Sequence, residues 1–99
     1  EFAKLIGTLY YHRGDNADLL RKKFTFFAER LRTTLQVDIL EHKLPPEAAR
    51  LIARRTSLKE EKVKEDLLRL RLDYCTEGTI DESEMKWAIN CMDEILKQI

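Results

Sequence analysis

The chain has 99 residues, of which 43% are hydrophobic and 36% are charged. A length of about 100 residues fits one compact domain, and this hydrophobic fraction is too high for a disordered chain. No stretch of the sequence approaches the ~18 uncharged apolar residues of a transmembrane helix. Eighteen Lys and Arg balance 18 Asp and Glu, and the resulting net charge of zero disfavours a nucleic-acid partner.

Helical periodicity begins at the first residues. Apolar side chains recur at i, i+3, i+4 and i+7, which predicts a first helix over residues 2–12. Residues 13–16 suit a tight break, in which Gly14 can take a positive φ and Asp15 or Asn16 can cap the next helix, expected over residues 16–36. The buried face of this second helix should comprise Leu20, Phe24, Phe27, Ala28, Leu31 and Leu35.

A loop and a short helix follow. Residues 37–44 are too few for a good helix and include β-branched side chains, so we expect a loop or short turn there. Pro45 and Pro46 suit a helix start, where a missing N–H costs little. We therefore expect a third helix over residues 47–55 that buries Ala48, Leu51 and Ile52.

The fourth predicted helix begins at a capping box formed by Ser57 and Glu60. It has two apolar stripes. One stripe consists of Val63, Leu67, Leu70 and Tyr74, and the other consists of Leu68, Leu72 and Cys75. A helix with two apolar faces either lies at the centre of a bundle or contacts a partner.

The last predicted helix begins at a second capping box, formed by Asp81 and Glu84, with Ile80 and Met85 as a hydrophobic staple around it. Its buried face should comprise Met85, Ala88, Ile89, Met92, Ile95, Leu96 and Ile99. We therefore predict an all-α fold, a small bundle of four or five helices whose core is formed by the second, fourth and last. Residues 52–67 should form a helix-turn-helix-like corner.

Residues 1–99 are expected to form a single helical domain. The chain begins without Met inside a predicted helix, so we expect a fragment of a longer protein.

Residues 73–84 match a calcium-binding EF-hand loop at five positions, occupied by Asp73, Gly78, Ile80, Asp81 and Glu84. Asp73, Asp81 and Glu84 would supply ligand oxygens. Cys75, however, places a sulfur at the third position, and Glu77 replaces the usual Asp or Asn at the fifth. A degenerate single EF-hand is one alternative, and the same residues are also explained as the end of one helix and the cap of the next.

The predicted corner has the rhythm of a DNA-reading helix-turn-helix. Its would-be recognition helix opens with acidic side chains that phosphates would repel, namely Glu60, Glu61, Glu65 and Asp66. DNA binding is therefore a second, disfavoured alternative, and a plain helical corner is favoured.

No set of residues predicts catalysis. His12 and His42 are isolated, and Cys75 and Cys91 lack a base nearby in sequence, so buried, inert thiols are expected. Two cysteines without metal-ligand spacing indicate a reducing compartment. We expect a non-enzymatic domain with no cofactor.

Some aromatic residues lie off the predicted apolar faces. Phe26 is about 100° from Phe27 around its helix, and Trp87 lies roughly opposite Met85. Such residues either pack against neighbouring helices, which is favoured here, or mark a contact surface. The candidate partner-binding residues are therefore Phe26, Trp87, Leu68 and Leu72.

The run from Leu5 to Phe24 contains a small residue, Leu-Tyr-Tyr, a polar turn with Asp and Asn, and a Lys-Lys-hydrophobic helix, in that order. It resembles the segment after the last transmembrane helix in a group of bacterial membrane proteins of unknown function. Residues 57–72 and 81–99 look similar to the same group, whereas the EF-hand-like loop is not a feature of it.

This resemblance implies a C-terminal domain on the cytoplasmic side of the bacterial inner membrane, often encoded near MoxR-type ATPases, and it implies no functional residues. We therefore expect a protein-interaction or assembly domain that has a protein partner and no nucleic-acid partner. Such a domain would reach the membrane only through an upstream segment.

Overall fold

The computed structural model describes residues 16–76 and 79–99, and the regular structure of this part of the chain is entirely α-helical. Four helices are seen there: α1 (Asn16–Leu35), α2 (Glu47–Arg55), α3 (Glu60–Tyr74) and α4 (Glu82–Leu96). The all-α prediction is confirmed. The predicted helix at residues 2–12, and with it His12 and Gly14, lies outside the described residues, as do Glu77 and Gly78. None of the described helices is long and apolar enough to cross a bilayer.

The hydrophobic core lies where α1 meets both α3 and α4, while α2 packs against α3. The fully buried large side chains include Phe24, Phe27, Leu67, Leu70, Met92 and Ile95. The ring of Phe24 lies 5.0 Å from that of Tyr74, which joins α1 to the end of α3. Each large apolar side chain removed from water contributes about 1.5–3 kcal/mol to folding. The prediction that these three helices form the core is confirmed.

The segment between α1 and α2 is a loop, as predicted, but it is anchored in the core. α1 ends at Leu35, and Gln36 adopts a left-handed backbone conformation with φ of 59°. This reversal directs the chain back across the bundle, where Val37 and Ile39 are buried. The sequence prediction did not include these two residues in the core.

The corner formed by α2 and α3 is present, with residues 56–59 as its turn. α2 has the predicted bounds, and the carbonyl of Pro45 accepts a hydrogen bond from the backbone N–H of Ala48 at 3.1 Å. Ala48 and Ile52 are buried as predicted, whereas Leu51 is half-buried.

Both predicted capping boxes are wrong. The N-cap residue of α3 is Lys59, and Ser57 instead donates hydrogen bonds from its backbone N–H (3.0 Å) and Oγ (3.3 Å) to Oε1 of Gln98. Asp81 is the N-cap residue of α4, but its side chain makes no capping bond, and its Oδ2 accepts a hydrogen bond from Oγ of Ser83. Ser57 and Asp81 therefore bond to the side chains of Gln98 and Ser83, and not to the backbone N–H groups at the helix starts.

The start of α1 is tied to the connection between α3 and α4. Asn16 is buried, and its Nδ2 donates a hydrogen bond to the carbonyl of Ile80 at 3.1 Å. One turn later, Nη1 of Arg21 donates to the carbonyl of Thr76 at 2.9 Å. These two bonds hold the chain on both sides of residues 77–78.

Candidate interaction surface

The second apolar stripe of α3 faces solvent. Leu68 is 44% exposed and Leu72 is 72% exposed, whereas Leu67 and Leu70 on the first stripe are fully buried. Cys75, the last member of the second stripe, is also exposed. α3 therefore buries only one of its two apolar faces within the described part of the chain.

The exposed stripe borders a groove. One cavity of about 370 Å³ lies between α3 and the segment that leads into α2, and a second of about 330 Å³ continues along α3. Leu68 and Arg71 line both cavities, so the two adjoin along α3. We call this feature the α3 groove and define its apolar walls by Leu44, Pro45, Ala49, Leu68 and Leu72.

The charged side chains of the α3 groove are mostly basic. Lys43, Lys64 and Arg71 line it together with a single carboxylate, that of Glu60. Nη2 of Arg71 donates hydrogen bonds to the backbone carbonyls of Glu41 (2.5 Å) and His42 (2.9 Å), which are neutral acceptors. Among the described residues, no carboxylate forms a salt bridge with any of these three cations. The groove therefore carries an excess of positive charge.

The groove is built on fixed parts of the fold. The two hydrogen bonds from Arg71 brace the loop at residues 41–42 against α3. On the opposite wall, Ala49 is buried in α2, whose contact with α3 is part of the core. A surface of this kind needs little ordering when a partner binds to it.

Trp87 belongs to a clamp between α3 and α4. The guanidinium of Arg69 lies 3.9 Å from the centre of the Trp87 ring. The same group pairs with both carboxylate oxygens of Glu84, through Nε to Oε2 at 2.9 Å and through Nη2 to Oε1. Trp87 itself is partly buried against the core. These contacts agree with the packing interpretation of Trp87.

The carboxyl group of Asp73 lies beside Glu84 at the edge of this clamp. Oδ2 of Asp73 is buried and receives no hydrogen bond from the described residues. Burial, followed by the hydrogen bond to Glu84 and the charge on it, raises the pKa of Asp73 to about 7. The hydrogen bond from Arg69 is the main cause that lowers the pKa of Glu84. Below neutral pH, Asp73 therefore carries the proton and donates it to an ionised Glu84.

The predicted calcium ligands are only partly brought together. Asp73 and Glu84 are neighbours, but Glu84 is engaged by Arg69, and Asp81 is paired with Ser83. In residues 16–76 and 79–99, no three Asp, Glu, His or Cys side chains are placed to hold a metal ion together. No described feature favours the calcium alternative.

Phe26 lies on a different surface from the α3 groove. It is 53% exposed, and Nζ of Lys23 lies 6.0 Å from the centre of its ring. The same ammonium forms a salt bridge with Asp93 of α4 at 2.7 Å, which places Phe26 on the α4 side of α1. The candidate partner-binding residues thus occupy three places: the α3 groove, the clamp and this exposed face.

The two thiols differ in environment. Cys91 is half-buried beside a cavity of about 260 Å³ between α3 and α4, and burial raises its pKa to about 12. Cys75 is exposed because it follows the last residue of α3, so the prediction of a buried thiol is wrong there. The raised pKa of Cys91 is the opposite of the depressed pKa that marks a reactive cysteine.

The acidic start of α3 is also on the surface. Glu60, Glu61 and Glu65 are exposed, while Asp66 pairs with Lys62 at 3.0 Å. These carboxylates occupy the part of a helix-turn-helix that would approach DNA.

A family model described as the DUF4350 C-terminal helical domain matches residues 3–99. No curated protein and no solved structure matches the chain. Since the family match covers nearly the whole sequence, the chain belongs to the DUF4350 C-terminal helical domain family, a family of unknown function.

Proposed function

We propose that this domain is a non-enzymatic protein-interaction or assembly module of a bacterial membrane protein. The observation that carries the proposal is the pair of exposed leucines, Leu68 and Leu72, at the edge of the α3 groove. A single exposed leucine is ordinary on a protein surface. Two of them one helical turn apart, continuous with an apolar groove, are typical of a contact surface.

The positions of the ionisable groups support a binding role. Asp73, Glu84 and Arg69 have shifted pKa values, a common mark of active sites. Arg69 and Glu84, however, are hydrogen-bonded to each other between two helices. These bonds hold α3 against α4, which is a structural role. The residues of the α3 groove carry cations and apolar groups suited to recognition.

A protein partner fits better than a nucleic acid. Glu60, Glu61 and Glu65 are exposed at the beginning of α3, where a recognition helix would meet phosphates. Their repulsion works against duplex binding, and the net charge of zero provides no compensating field.

The membrane context rests on the resemblance of residues 5–24 to the segment that follows the last transmembrane helix in bacterial membrane proteins. We place the domain on the cytoplasmic side of the inner membrane, connected to the bilayer only through an upstream segment. Genes for MoxR-type ATPases often lie beside the genes of that group, which suits an assembly partner.

Site-specific crosslinking in the bacterial host tests this function. The full-length protein would carry a photoreactive amino acid at position 72, 26 or 54, where Leu72 edges the groove, Phe26 lies on another face, and Arg54 is an exposed polar control. We expect a discrete crosslink to another protein from position 72 and none from position 54. The product would be identified by mass spectrometry and its binding reproduced with purified proteins. If none of the three positions gives a reproducible crosslink, the interaction role is contradicted.

A further inference from the structure

We infer that the α3 groove binds an amphipathic helix with acidic flanks, supplied by a partner protein. This inference rests on the proposed function and adds to it the chemistry of the partner. It follows from the spacing of the apolar side chains, from the charges around them, and from the rigidity of the two walls.

The apolar spacing suits a helix. Leu68 and Leu72 are four residues apart on α3, so their side chains lie on one face, about 5–6 Å from each other. Leu44 and Pro45 face Leu68 across the larger cavity, and Leu72 extends the apolar surface along α3 beyond that wall. A helix laid along this groove would insert side chains at positions i, i+4 and i+7, the usual spacing in helix-in-groove recognition.

The charge pattern specifies the flanks of that helix. Three cations, Lys43, Lys64 and Arg71, surround the apolar walls, against one carboxylate, Glu60. None of the three cations forms a salt bridge with a carboxylate in the described part of the chain. Carboxylates beside the apolar face of a partner helix would meet them, accelerating association and disfavouring basic partners.

The exposed position of Leu72 makes the surface testable without unfolding the protein. Leu72 is 72% exposed, so replacing it by a polar residue leaves the core unchanged. Lys64 is also exposed, and reversing its charge alters the groove alone. Phe26, which is 53% exposed on the α4 side of α1, provides a matched control for removal of an exposed apolar side chain.

The probes are two synthetic helical peptides that share an apolar face with leucines at i, i+4 and i+7. One has glutamates beside this face, and the other has lysines at the same positions. Binding to the full 99-residue chain would be measured by fluorescence anisotropy at 0.05 and 0.5 M salt, with amide NMR shifts to locate the site. Circular dichroism would confirm that each variant is folded.

We expect the acidic peptide to bind at least about tenfold more tightly than the basic one at low salt, with the difference reduced at high salt. Leu72→Ser should weaken the acidic peptide about tenfold, Lys64→Glu should weaken it about threefold to tenfold, and Phe26→Ser should leave it unchanged. NMR shifts should concentrate around Leu68 and Leu72.

Three results would overturn the inference: no binding of the acidic peptide, equal binding of the two peptides, or binding that Leu72→Ser does not weaken. A concentration-dependent dimer that Leu72→Ser abolishes would assign the groove to a second copy of the chain. A specific crosslink from position 72 together with equal peptide affinities would leave the interaction function intact and remove only the acidic helix.

Discussion

Replacement of Asp73 by asparagine tests the raised pKa of this residue beside the clamp between α3 and α4. In the folded protein the pKa of Asp73 is raised from its ordinary value of 3.8 to about 7. Between these pH values the unfolded chain loses the proton while the folded chain keeps it. The contribution of Asp73 to stability therefore falls as pH rises from about 4 to 7. An asparagine amide would donate to Glu84 at every pH.

The magnitude follows from that pKa shift. At 1.36 kcal/mol for each pH unit, the full shift corresponds to about 4 kcal/mol. Asp73 is only partly buried, and solvent screening reduces this to about 1–2 kcal/mol. Asp73→Asn should therefore be more stable than the original protein by about 1–2 kcal/mol at pH 8 and nearly equal to it at pH 4. For a domain of this size each kcal/mol is worth about 4–8 °C in Tm.

Thermal unfolding followed by circular dichroism at pH 4, 6 and 8 measures this difference. Asp81→Asn is the control, because Asp81 is exposed and the only hydrogen bond that its side chain receives from the described residues comes from Ser83. The pH-dependent gain should be absent in that variant. An Asp73→Asn protein that is no more stable at pH 8 would refute the raised pKa of Asp73. The lowered pKa of Glu84 acts in the opposite direction, since its stabilising effect is lost on acidification.

Three further predictions follow from local environments. Leu67→Ala in the core should lower the free energy of unfolding by about 2–5 kcal/mol in urea titrations, while Leu72→Ala changes it by less than about 0.5; equal losses would contradict the assignment of the two stripes. Gln36→Gly should raise the Tm slightly and Gln36→Val should lower it, because φ of 59° is strained for a β-branched residue. Iodoacetamide should alkylate Cys75 in the folded protein and Cys91 only after unfolding, as read by peptide mass spectrometry.

The helices were predictable because their apolar residues repeat at the helical period. The pattern Leu20, Phe24, Phe27 and Leu31 requires no tertiary information, and all four side chains are fully buried. Helix ends were less predictable. Ser57 had a suitable partner in sequence, but Gln98, 41 residues away, provides a hydrogen bond that no local rule contains. Val37 and Ile39 were missed because their burial depends on where the loop crosses the bundle.

The candidate surface was predictable in part. The second stripe of α3 identified Leu68 and Leu72, but only the packing of α1 on α3 decides which stripe is left outside. The cations of the α3 groove come from a loop and a helix that meet only in the fold. Arg69 was missed although it lies four residues before Asp73, a spacing that places both on one face of α3. The role of Arg69 depends on Glu84, which is 15 residues away in sequence and comes near only in the fold.

The two long-range hydrogen bonds at the start of α1 have a consequence for the order of folding. Asn16 and Ile80 are 64 residues apart, and Arg21 and Thr76 are 55 apart, so forming either bond requires closure of most of the chain. Because closing so long a loop costs conformational entropy, these bonds should form after the folding transition state. Asn16→Ala should therefore raise the unfolding rate and leave the folding rate nearly unchanged, which corresponds to a folding φ-value near zero. The beginning of α1 would then be the last part of the bundle to fold and the first to unfold.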